Sequence, residues 1–364
     1  MIECHLAIVG GGPAASAAAI CAADAGLRVI LVERTPAPRA RPGEALHPGA
    51  ETLFRQLGVE QAVERAGFLR HRGIRVTSPE TCRFEPFGED ASGPWLGYQA
   101  DRAQLDGILL SRAQSVGAEL WRPAAVESLN RTAEGWLLQT TRGSVASRML
   151  LDASGAEHWL AGRAHLPISR VSPRLIARYA YYPAPADAPV EPEFRMLAGG
   201  WNWTAAVRPG VMQWIGLSLD GDVQPLFPPP QVANGQIRAA DVTWRVMPAC
   251  AGPGYFVAGD AAAVLDPAVS HGVLRALMSG IQAAQLTVGI IRHNLPEDEA
   301  SHRYRSWLLD WFRRDVAELS GRYRRFPHPP DWGDRAPAAA ALVCSAPPAR
   351  QETIPAFARS SSTT

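Results

Sequence analysis

Three small residues, Gly10, Gly12 and Ala15, have the GxGxxA spacing of a dinucleotide-binding turn. They follow an apolar run over residues 5–9 and lead into an Ala-rich segment that reaches Gly26. Gly10 permits the tight turn, Gly12 lets backbone N–H groups approach a pyrophosphate, and Ala15 allows helix and strand to pack closely. Because the N-terminus of the following helix adds the positive end of its dipole, this segment predicts a binding site for a diphosphate.

An acidic residue, Glu33, ends a second apolar run at residues 28–32. A carboxylate at this place binds ribose hydroxyls through both oxygens and repels a 2′-phosphate. Taken in order, the strand, the glycine turn, the helix, the second strand and the acid predict an α/β fold with a Rossmann-like nucleotide-binding domain.

The composition indicates a globular protein with more than one substructure. The 364 residues exceed one typical core, and 47% of them are hydrophobic. A net charge of +1 gives no reason to expect nucleic acid or an acidic membrane surface as a partner. The five cysteines show no CxxC pair or metal-like spacing, so we expect small buried hydrophobes in a reducing compartment and no metal site. There is no room for a signal peptide before the first strand and no uninterrupted apolar run of bilayer length, so we expect a cytoplasmic protein without a membrane partner.

The elements that must position these residues can be placed from periodicity, caps and turn residues. Helices are predicted over residues 48–57, 101–116, 271–293 and 297–326, with Asp101 as the N-cap of the second. A hairpin is predicted over residues 73–87, and buried strands at 148–152 and 254–260. The Trp-rich residues 174–244 have short strand-like runs broken by Pro and Gly, which predict an inserted antiparallel β-sheet.

These elements predict four parts of the chain. The nucleotide-binding domain is discontinuous, at residues 1–75, 100–165 and 245–295, and the substrate-binding β-sheet domain covers residues 76–99 and 166–244. C-terminal helices follow at residues 296–332. From residue 333 to residue 364 Ala, Pro, Ser and Thr dominate, and a disordered tail is expected.

Two later motifs indicate which nucleotide binds. Residues 151–155 read LDASG and residues 258–263 read AGDAAA, each with an acid at a predicted strand end. Together with the first turn, they resemble the FAD-dependent family of aromatic hydroxylases, flavin-dependent tryptophan halogenases and geranylgeranyl reductases, over residues 1–330. The resemblance implies that FAD is the cofactor, that Asp260 binds a ribityl hydroxyl and that Arg102 lies near the phosphates and the ribityl chain. The other predicted cofactor contacts are Pro13, Ala14, Arg34, Glu44, Asp152, Gly155, Gly259 and Gly272. Taken alone, Asp152 or Asp260 is equally explained as a cap for neighbouring backbone amides.

Two stretches, GEALHP at residues 43–48 and GWNWT at residues 200–204, resemble the halogenase branch of this family. Halogenation in that branch needs a lysine, which aligns with His71, and a substrate-side glutamate, which aligns with Val269. The sequence therefore predicts that the chain does not halogenate. The resemblance instead implies hydroxylation of an aromatic ring through a flavin C4a-hydroperoxide.

The loop over residues 266–272 is expected to lead into a helix whose N-terminus faces the flavin ring and stabilises negative charge there. Pro267 and His271 lie in this loop, and His71 is placed on the facing wall, so these three are the predicted catalytic residues. Either histidine can move protons near neutral pH, although capping or surface exposure is the simpler explanation for a single histidine. The predicted substrate-binding residues are Trp201, Trp203, Trp214 and His47. Core packing is the alternative for the tryptophans.

The motifs GEALHP, GWNWT and SHGVLRALMSG also resemble the flavoprotein monooxygenases that hydroxylate a peptidyl tryptophan during tryptophylquinone cofactor maturation. The expected partner is then a tryptophan-bearing protein or peptide, with NAD(P)H or a separate reductase as the electron source. The alternatives are a hydroxylase of a free indole or phenol, a reductase of isoprenoid double bonds, and a non-catalytic flavoprotein that escorts a partner.

Overall fold

A computed structural model of the chain describes residues 1–38, 41–42, 44–185, 187–219, 228–232 and 236–345, and for Val269 the backbone alone. Its α-helices are α1 (Pro13–Asp24), α2 (Ala50–Gln56), α3 (Glu60–Arg65), α4 (Arg102–Ser115), α5 (Trp159–Ala164), α6 (Gly272–His293), α7 (Glu297–Tyr323) and α8 (Ala336–Ser345). Its strands are β1 (Ile2–Val9), β2 (Val29–Val32), β3 (Ala45–Leu46), β4 (Leu69–His71), β5 (Gly73–Thr77), β6 (Cys82–Pro86), β7 (Glu89–Asp90), β8 (Gly93–Pro94), β9 (Gly97–Gln99), β10 (Glu119–Trp121), β11 (Val126–Thr132), β12 (Gly135–Thr140), β13 (Gly143–Asp152), β14 (Ser169–Arg170), β15 (Ile176–Pro183), β16 (Glu193–Leu197), β17 (Gly200–Arg208), β18 (Val211–Ser218), β19 (Arg238–Asp241), β20 (Arg245–Val246), β21 (Ala251–Gly252), β22 (Tyr255–Val257) and β23 (Ala263–Val264).

The first sheet is the predicted nucleotide-binding sheet. Strands β10, β2, β1, β13 and β22 run parallel in that spatial order, and the antiparallel strands β12 and β11 continue it from β13. All four residues of β2 are buried, as expected for a parallel strand covered on both faces. The carboxyl ends of β1, β13 and β22 meet at one edge, and at that edge lie the glycine turn and the two later motifs.

Helix α1 starts at the glycine turn and packs against α6. The approach is close because α6 has a glycine at the contact: a Cβ at Gly280 would lie 2.2 Å from the carbonyl oxygen of Ala14. Helix α4 is confirmed as predicted, since the Asp101 side chain accepts hydrogen bonds from the backbone N–H groups of Ala103 and Gln104. Small residues on α1, such as Ala14, therefore allow α1 and α6 to pack closely in one core.

The second sheet has seven strands in the order β19, β15, β18, β17, β16, β5 and β6. Its central pairs are antiparallel, as the sequence predicts, but β16 pairs with β5 in parallel, so the sheet is mixed. The predicted hairpin at residues 73–87 is confirmed as β5 and β6, and it forms one end of this sheet. The predicted domain boundary at residue 75 therefore falls inside β5.

Helix α7 packs against α6, α8 and β21, and its last residue, Tyr323, hydrogen-bonds Trp201 of the second sheet. Residues 336–345 form α8, which packs on α7, so the predicted disordered tail is wrong for that segment, while residues 346–364 lie outside the described residues. The most apolar long helix is α6, in which Arg275, Gln282 and Gln285 interrupt the apolar residues. Within the described ranges, α6 has the length and composition of a membrane span, and half of its most apolar window is buried inside the protein. Its contacts with α1 and α7 account for that apolar surface.

Candidate functional site

A cavity of about 490 Å³ lies between the carboxyl edge of the first sheet and one face of the second sheet. At one end it is lined by the glycine turn and by the residues that follow β2. The loop after β13 lies beside the glycine turn, Arg102 and Asp260 also line the cavity, and Trp201, Trp203 and Gln213 line it from the second sheet. The three predicted cofactor motifs, which are far apart in sequence, therefore share one cavity.

The glycine turn has the two properties that a diphosphate site needs. Gly10 adopts a φ of +113°, and a Cβ there would lie 2.3 Å from the carbonyl oxygen of Ala153, so only glycine fits. Gly12 precedes α1, and a Cβ there would meet nothing within 4 Å because it would project into open space. The turn thus leaves room for a ligand directly at a helix N-terminus. Pro13 and Ala14 also line the cavity, whereas Ala15 is fully buried and packs inside the protein.

Glu33 and Arg34 line the same end of the cavity. Oε1 of Glu33 accepts hydrogen bonds from the backbone N–H of Thr35 at 2.7 Å and from its hydroxyl at 2.6 Å, so one carboxylate oxygen is already used. Arg34 forms an exposed ion pair with Glu157, a residue of the loop after β13. This pair connects two walls of the cavity.

Asp260 faces the cavity, where the predicted FAD contact places it. Its side chain is exposed to the open cavity, where the protein around it raises its pKa by desolvation and the positive charges of Arg102, Arg275 and Arg245 act in the opposite direction. Arg102 is buried, pairs with Asp106 at 3.2 Å and donates a hydrogen bond to the carbonyl oxygen of Pro42 at 3.0 Å. An acid with an open acceptor beside a fixed guanidinium fits a ligand that carries both hydroxyl and phosphate groups.

Asp152 has the other role that the sequence left open. Its Oδ1 accepts a hydrogen bond from the backbone N–H of Ser154 at 3.0 Å, and its Oδ2 accepts one from that of Leu160 at 2.8 Å. The side chain is fully buried and does not line the cavity. Asp152 therefore orders the loop after β13 by capping backbone amides, and the predicted direct contact with FAD is wrong, whereas Gly155 in that loop, at a φ of +81°, does line the cavity.

The N-terminus of α6 opens onto the cavity, as predicted. Pro267, Ser270 and Gly272 line it, and Ser270 turns the chain with a φ of +54°. The first backbone N–H groups of a helix have no partner within the helix, and its dipole places positive potential there. This end of the cavity is therefore suited to an anionic or electron-rich ring system.

Trp201 and Trp203 line the cavity from β17, but Trp214 does not. Trp214 lies on the opposite face of the second sheet, packed with Ala180 and Val232, so its predicted contact with substrate is wrong. The reason is the period of a strand: residues paired across β17 and β18 share a face, and Gln213 and Ile215 take the cavity face that Trp214 cannot share.

A buried hydrogen-bond network holds Trp201 in place. Its indole N–H donates to the Tyr323 hydroxyl at 3.1 Å, and that hydroxyl donates to Oδ2 of Asp266 at 2.7 Å. The indole N–H of Trp244 donates to the same carboxylate oxygen at 2.6 Å. Burial raises the pKa of Asp266, and these hydrogen bonds oppose that rise. The network joins α7, β17 and the loop before α6.

The three predicted histidines lie close together but outside the cavity lining. The ring centroids of His47 and His271 are 5.6 Å apart, and Phe87 lies 5.5 Å from His47 and 5.2 Å from His71. Burial lowers the pKa of all three, for His271 to about 4. At a pKa of about 4, His271 is a neutral imidazole near neutral pH, and its role in moving protons stays a prediction.

Beside His271 lie two acids of α7, Asp315 and Glu318, whose oxygens come within 4.8 Å of the imidazole nitrogen. Arg275 forms an ion pair with Asp315 at 2.6 Å. Its guanidinium also lies over the Trp311 ring, 4.6 Å from the centroid. Because the arginine already supplies the positive charge, this cluster is explained as a buried ion pair.

Glu44 lines the cavity at the end formed by the second sheet. Gln213 donates a hydrogen bond to its Oε2 at 2.7 Å, and the Tyr181 hydroxyl bonds its Oε1. Sequence reasoning placed Glu44 at the cofactor but missed Gln213, Tyr181, Tyr323 and Asp266. A polar residue at an inward position of a predicted strand, as at Gln213, is the one signal that could have found part of this set.

Comparisons with known proteins agree with this geometry. A family model described as "FAD binding domain" matches residues 3–148. The tryptophan 2-halogenase of Chondromyces crocatus is 28% identical over 353 residues, which cover 84% of this chain and 65% of that protein. A brominase of Pseudoalteromonas luteoviolacea, named for a pyrrole-2-carbonyl group on a peptidyl-carrier protein, is 24% identical over 82% of this chain and 80% of its own length.

The fold is likewise shared with a solved structure. The crystal structure of CmlS, a flavin-dependent halogenase, superposes with a TM-score of 0.81 at 20% identity, covering 92% of this chain and 68% of that one. The glycine cradle, the positions of Asp260 and Arg102 at the cavity and the family match over residues 3–148 lead to one conclusion: the chain contains an FAD-binding domain, and its cofactor is FAD.

Proposed function

We propose that this protein is a FAD-dependent oxidoreductase that hydroxylates an aromatic ring, with a tryptophan side chain of a partner protein or peptide as the substrate. FAD, when bound and reduced, supplies the activation of O₂. The chain's own residues bind the cofactor, exclude water from the cavity and hold the ring to be modified.

The observation that carries this proposal is the absence of lysine. All 36 residues counted as lysine or arginine in the sequence are arginine. The resemblance assigns halogenation to a lysine at the position of His71, which is buried and whose Nδ1 lies 2.9 Å from the carbonyl oxygen of Gly73. Burial lowers its pKa, so it is a neutral imidazole packed against Phe87, outside the cavity lining. No amine is present to hold a hypohalous equivalent.

The cavity wall supports an aromatic substrate. Trp201 and Trp203 reach the cavity lining from β17, although they are only 1% and 4% exposed, and indoles at this wall favour offset or edge-to-face contact with another ring. The hydrogen bond from Trp201 to Tyr323 fixes one of these surfaces before a substrate arrives. A preset wall lowers the entropic cost of orienting the ring for reaction.

The named activities of the relatives favour a second candidate, halogenation of an aromatic ring. The tryptophan 2-halogenase and the pyrrole-2-carbonyl brominase both have halogenation in their names, and this chain spans 65% and 80% of their lengths. In this chain, halogenation would require a group other than lysine to direct the halogen. We therefore place it second.

A finer proposal concerns the substrate and the electron source. The motifs GEALHP, GWNWT and SHGVLRALMSG, together with the missing lysine, support a peptidyl tryptophan that is matured into a tryptophylquinone. We propose NAD(P)H or a separate reductase as the source of electrons. A free indole or phenol, an isoprenoid alkene, and a partner that is escorted without reaction are the competing roles for the same cavity.

The test uses the FAD-loaded protein with a reductant, isotope-labelled O₂, chloride and bromide, offered free tryptophan or a tryptophan-containing peptide. We expect the product to carry an oxygen atom from O₂ and no halogen, as read by mass spectrometry. The matched control is the same protein stripped of FAD. A halogenated product would select the second candidate, and a reduced alkene would move the protein to the reductase class.

A further inference from the structure

Glu44 is a carboxyl group built into the wall of the cavity. Its side chain is 2% exposed, although the cavity opens beside it. It is held by neutral groups: Gln213 donates to Oε2 at 2.7 Å, Tyr181 bonds Oε1, and the backbone of Glu44 itself also contributes a hydrogen bond. The Gln213 amide also donates to the Tyr181 hydroxyl at 3.3 Å. The three polar groups therefore form a closed cluster in an otherwise apolar part of the wall.

The nearest guanidinium is not free to neutralise this acid. Arg102 pairs with Asp106 at 3.2 Å and 3.3 Å and donates to the carbonyl oxygen of Pro42. Its charge reaches Glu44 only through space, as the smallest of the effects that oppose burial. Burial dominates and raises the pKa of Glu44. An acid in such a place retains its proton to higher pH than a solvated one.

Tyr181 connects this acid to the outer part of the sheet. It stands on β15 two residues from Tyr179, which lines the cavity, and four residues from Ala177, which also does. These residues share one face because strand residues alternate. Tyr181 itself is half-buried and does not line the cavity, so it contacts Glu44 from beyond the lining, and we call its partly exposed side the rim. Burial and the neighbouring Glu44 carboxyl strongly raise its pKa, so it stays a neutral hydroxyl.

We propose that Glu44 is a proton donor to the cavity and that the Tyr181 hydroxyl returns the proton from the rim. This inference rests on the proposed function, because hydroxylation with release of water from O₂ consumes a proton in each turnover. The proton leaves the Glu44 carboxyl for an acceptor in the cavity, and the carboxylate then takes the Tyr181 hydroxyl proton. Tyr181 takes a proton from water at the rim in the same transfer, so neither side chain is changed over a cycle.

The alternative is that the cluster only fastens the start of β3 to the second sheet, and the vibrational spectrum of the carboxyl group separates the two roles. A protonated carboxyl has a C=O stretch that an ionised one lacks, and the stretch shifts when the proton is replaced by deuterium. The measurement is the infrared difference spectrum at neutral pH between the FAD-loaded wild type and the FAD-loaded Glu44→Gln variant. The matched control is Glu51→Gln, because Glu51 is 42% exposed and lies outside the cavity lining.

We expect the protonated-carboxyl band in the wild type and in Glu51→Gln, and its loss in Glu44→Gln. We expect Tyr181→Phe, which removes only the hydroxyl, to keep the band but to slow its deuterium shift in D₂O about tenfold or more. An ionised carboxylate at neutral pH overturns the proposal, and so does an unchanged exchange rate in Tyr181→Phe.

A product assay distinguishes failure of this inference from failure of the proposed function. Loss of a general acid lowers turnover about 10²-fold or more, and we expect that loss in Glu44→Gln but not in Glu51→Gln. If no variant and no wild-type sample hydroxylates any aromatic substrate, the hydroxylase proposal fails while the infrared band still reports whether Glu44 holds a proton.

Discussion

At the scale of single residues, the most perturbed histidine gives a prediction about stability against pH. Burial, with smaller contributions from the charges of Arg275 and the nearby His47, lowers the pKa of His271 from 6.5 to about 4. The unfolded chain therefore binds more protons than the folded protein between those values, so stability is lost as the pH falls from 6.5 towards 4. We expect the Tm of His271→Asn to fall less over this pH range than that of the wild type. The exposed His302, changed to Asn, is the control, and an equal fall in His271→Asn and the wild type would show that His271 is not buried as described.

Single residues also show which roles can be predicted from the sequence and which cannot. The spacing of Gly10 and Gly12 was enough to predict their roles, because only the backbone geometry of one turn is involved. The role of Asp152 was not fixed by its type, because an acid at a strand end caps amides or binds a ligand with equal ease. Which of the two occurs depends on where Leu160 folds back, and that is decided by the tertiary structure.

At the scale of elements, substitutions at the two glycines of the first turn are expected to affect different properties. One lowers the stability of the fold, and the other weakens FAD binding. In Gly10→Ala the Cβ would overlap the carbonyl group of Ala153 at a φ of +113°, so we expect a loss of about 3 kcal/mol or more and a lower Tm. In Gly12→Ala the Cβ meets no protein atom within 4 Å but fills the space of the diphosphate, so we expect an unchanged Tm of the FAD-free protein and weaker FAD binding. FAD absorbance after gel filtration and calorimetry of the stripped proteins measure the two effects. If Gly12→Ala retained FAD as well as the wild type, the diphosphate would not lie against this turn.

Elements with a local signature were well predicted. The Asp101 cap, the buried strand β2 and the long helices α6 and α7 follow from short-range periodicity and capping. The parallel pairing of β16 with β5 was missed, because these strands lie more than 100 residues apart and nothing in either one specifies its partner. Trp214 was misplaced for a related reason: the sequence shows that strand residues alternate, but not which face will meet the cavity.

At the scale of the whole molecule, the site is assembled from segments that no local pattern brings together. Glu44 comes from the first part of the chain, Gln213 from the inserted sheet and Tyr323 from a C-terminal helix, and each contacts a partner across the cavity wall. The motifs predicted the nucleotide end, because there the chain folds on itself within some 30 residues. The end that determines substrate depends on three distant elements, and its polar contacts were not predictable.

The hydroxyl of Tyr323 joins α7 to Trp201 of β17 and to Asp266 in the loop before α6, so we expect its removal to affect all three elements. In Tyr323→Phe the Asp266 carboxylate loses a donor and the indole N–H of Trp201 loses its acceptor, so we expect a destabilisation of about 1–3 kcal/mol. The control is Tyr304→Phe in the same helix, whose fully buried hydroxyl donates to the carbonyl oxygen of Val257 at 2.8 Å and does not line the cavity. Both variants should lower the Tm. Only Tyr323→Phe should also change the fluorescence of bound FAD and raise the KM for an aromatic substrate, because only this variant removes the hydrogen bond that holds Trp201 at the cavity wall. Equal effects of the two variants on FAD fluorescence would mean that the network stabilises the fold without setting the position of Trp201.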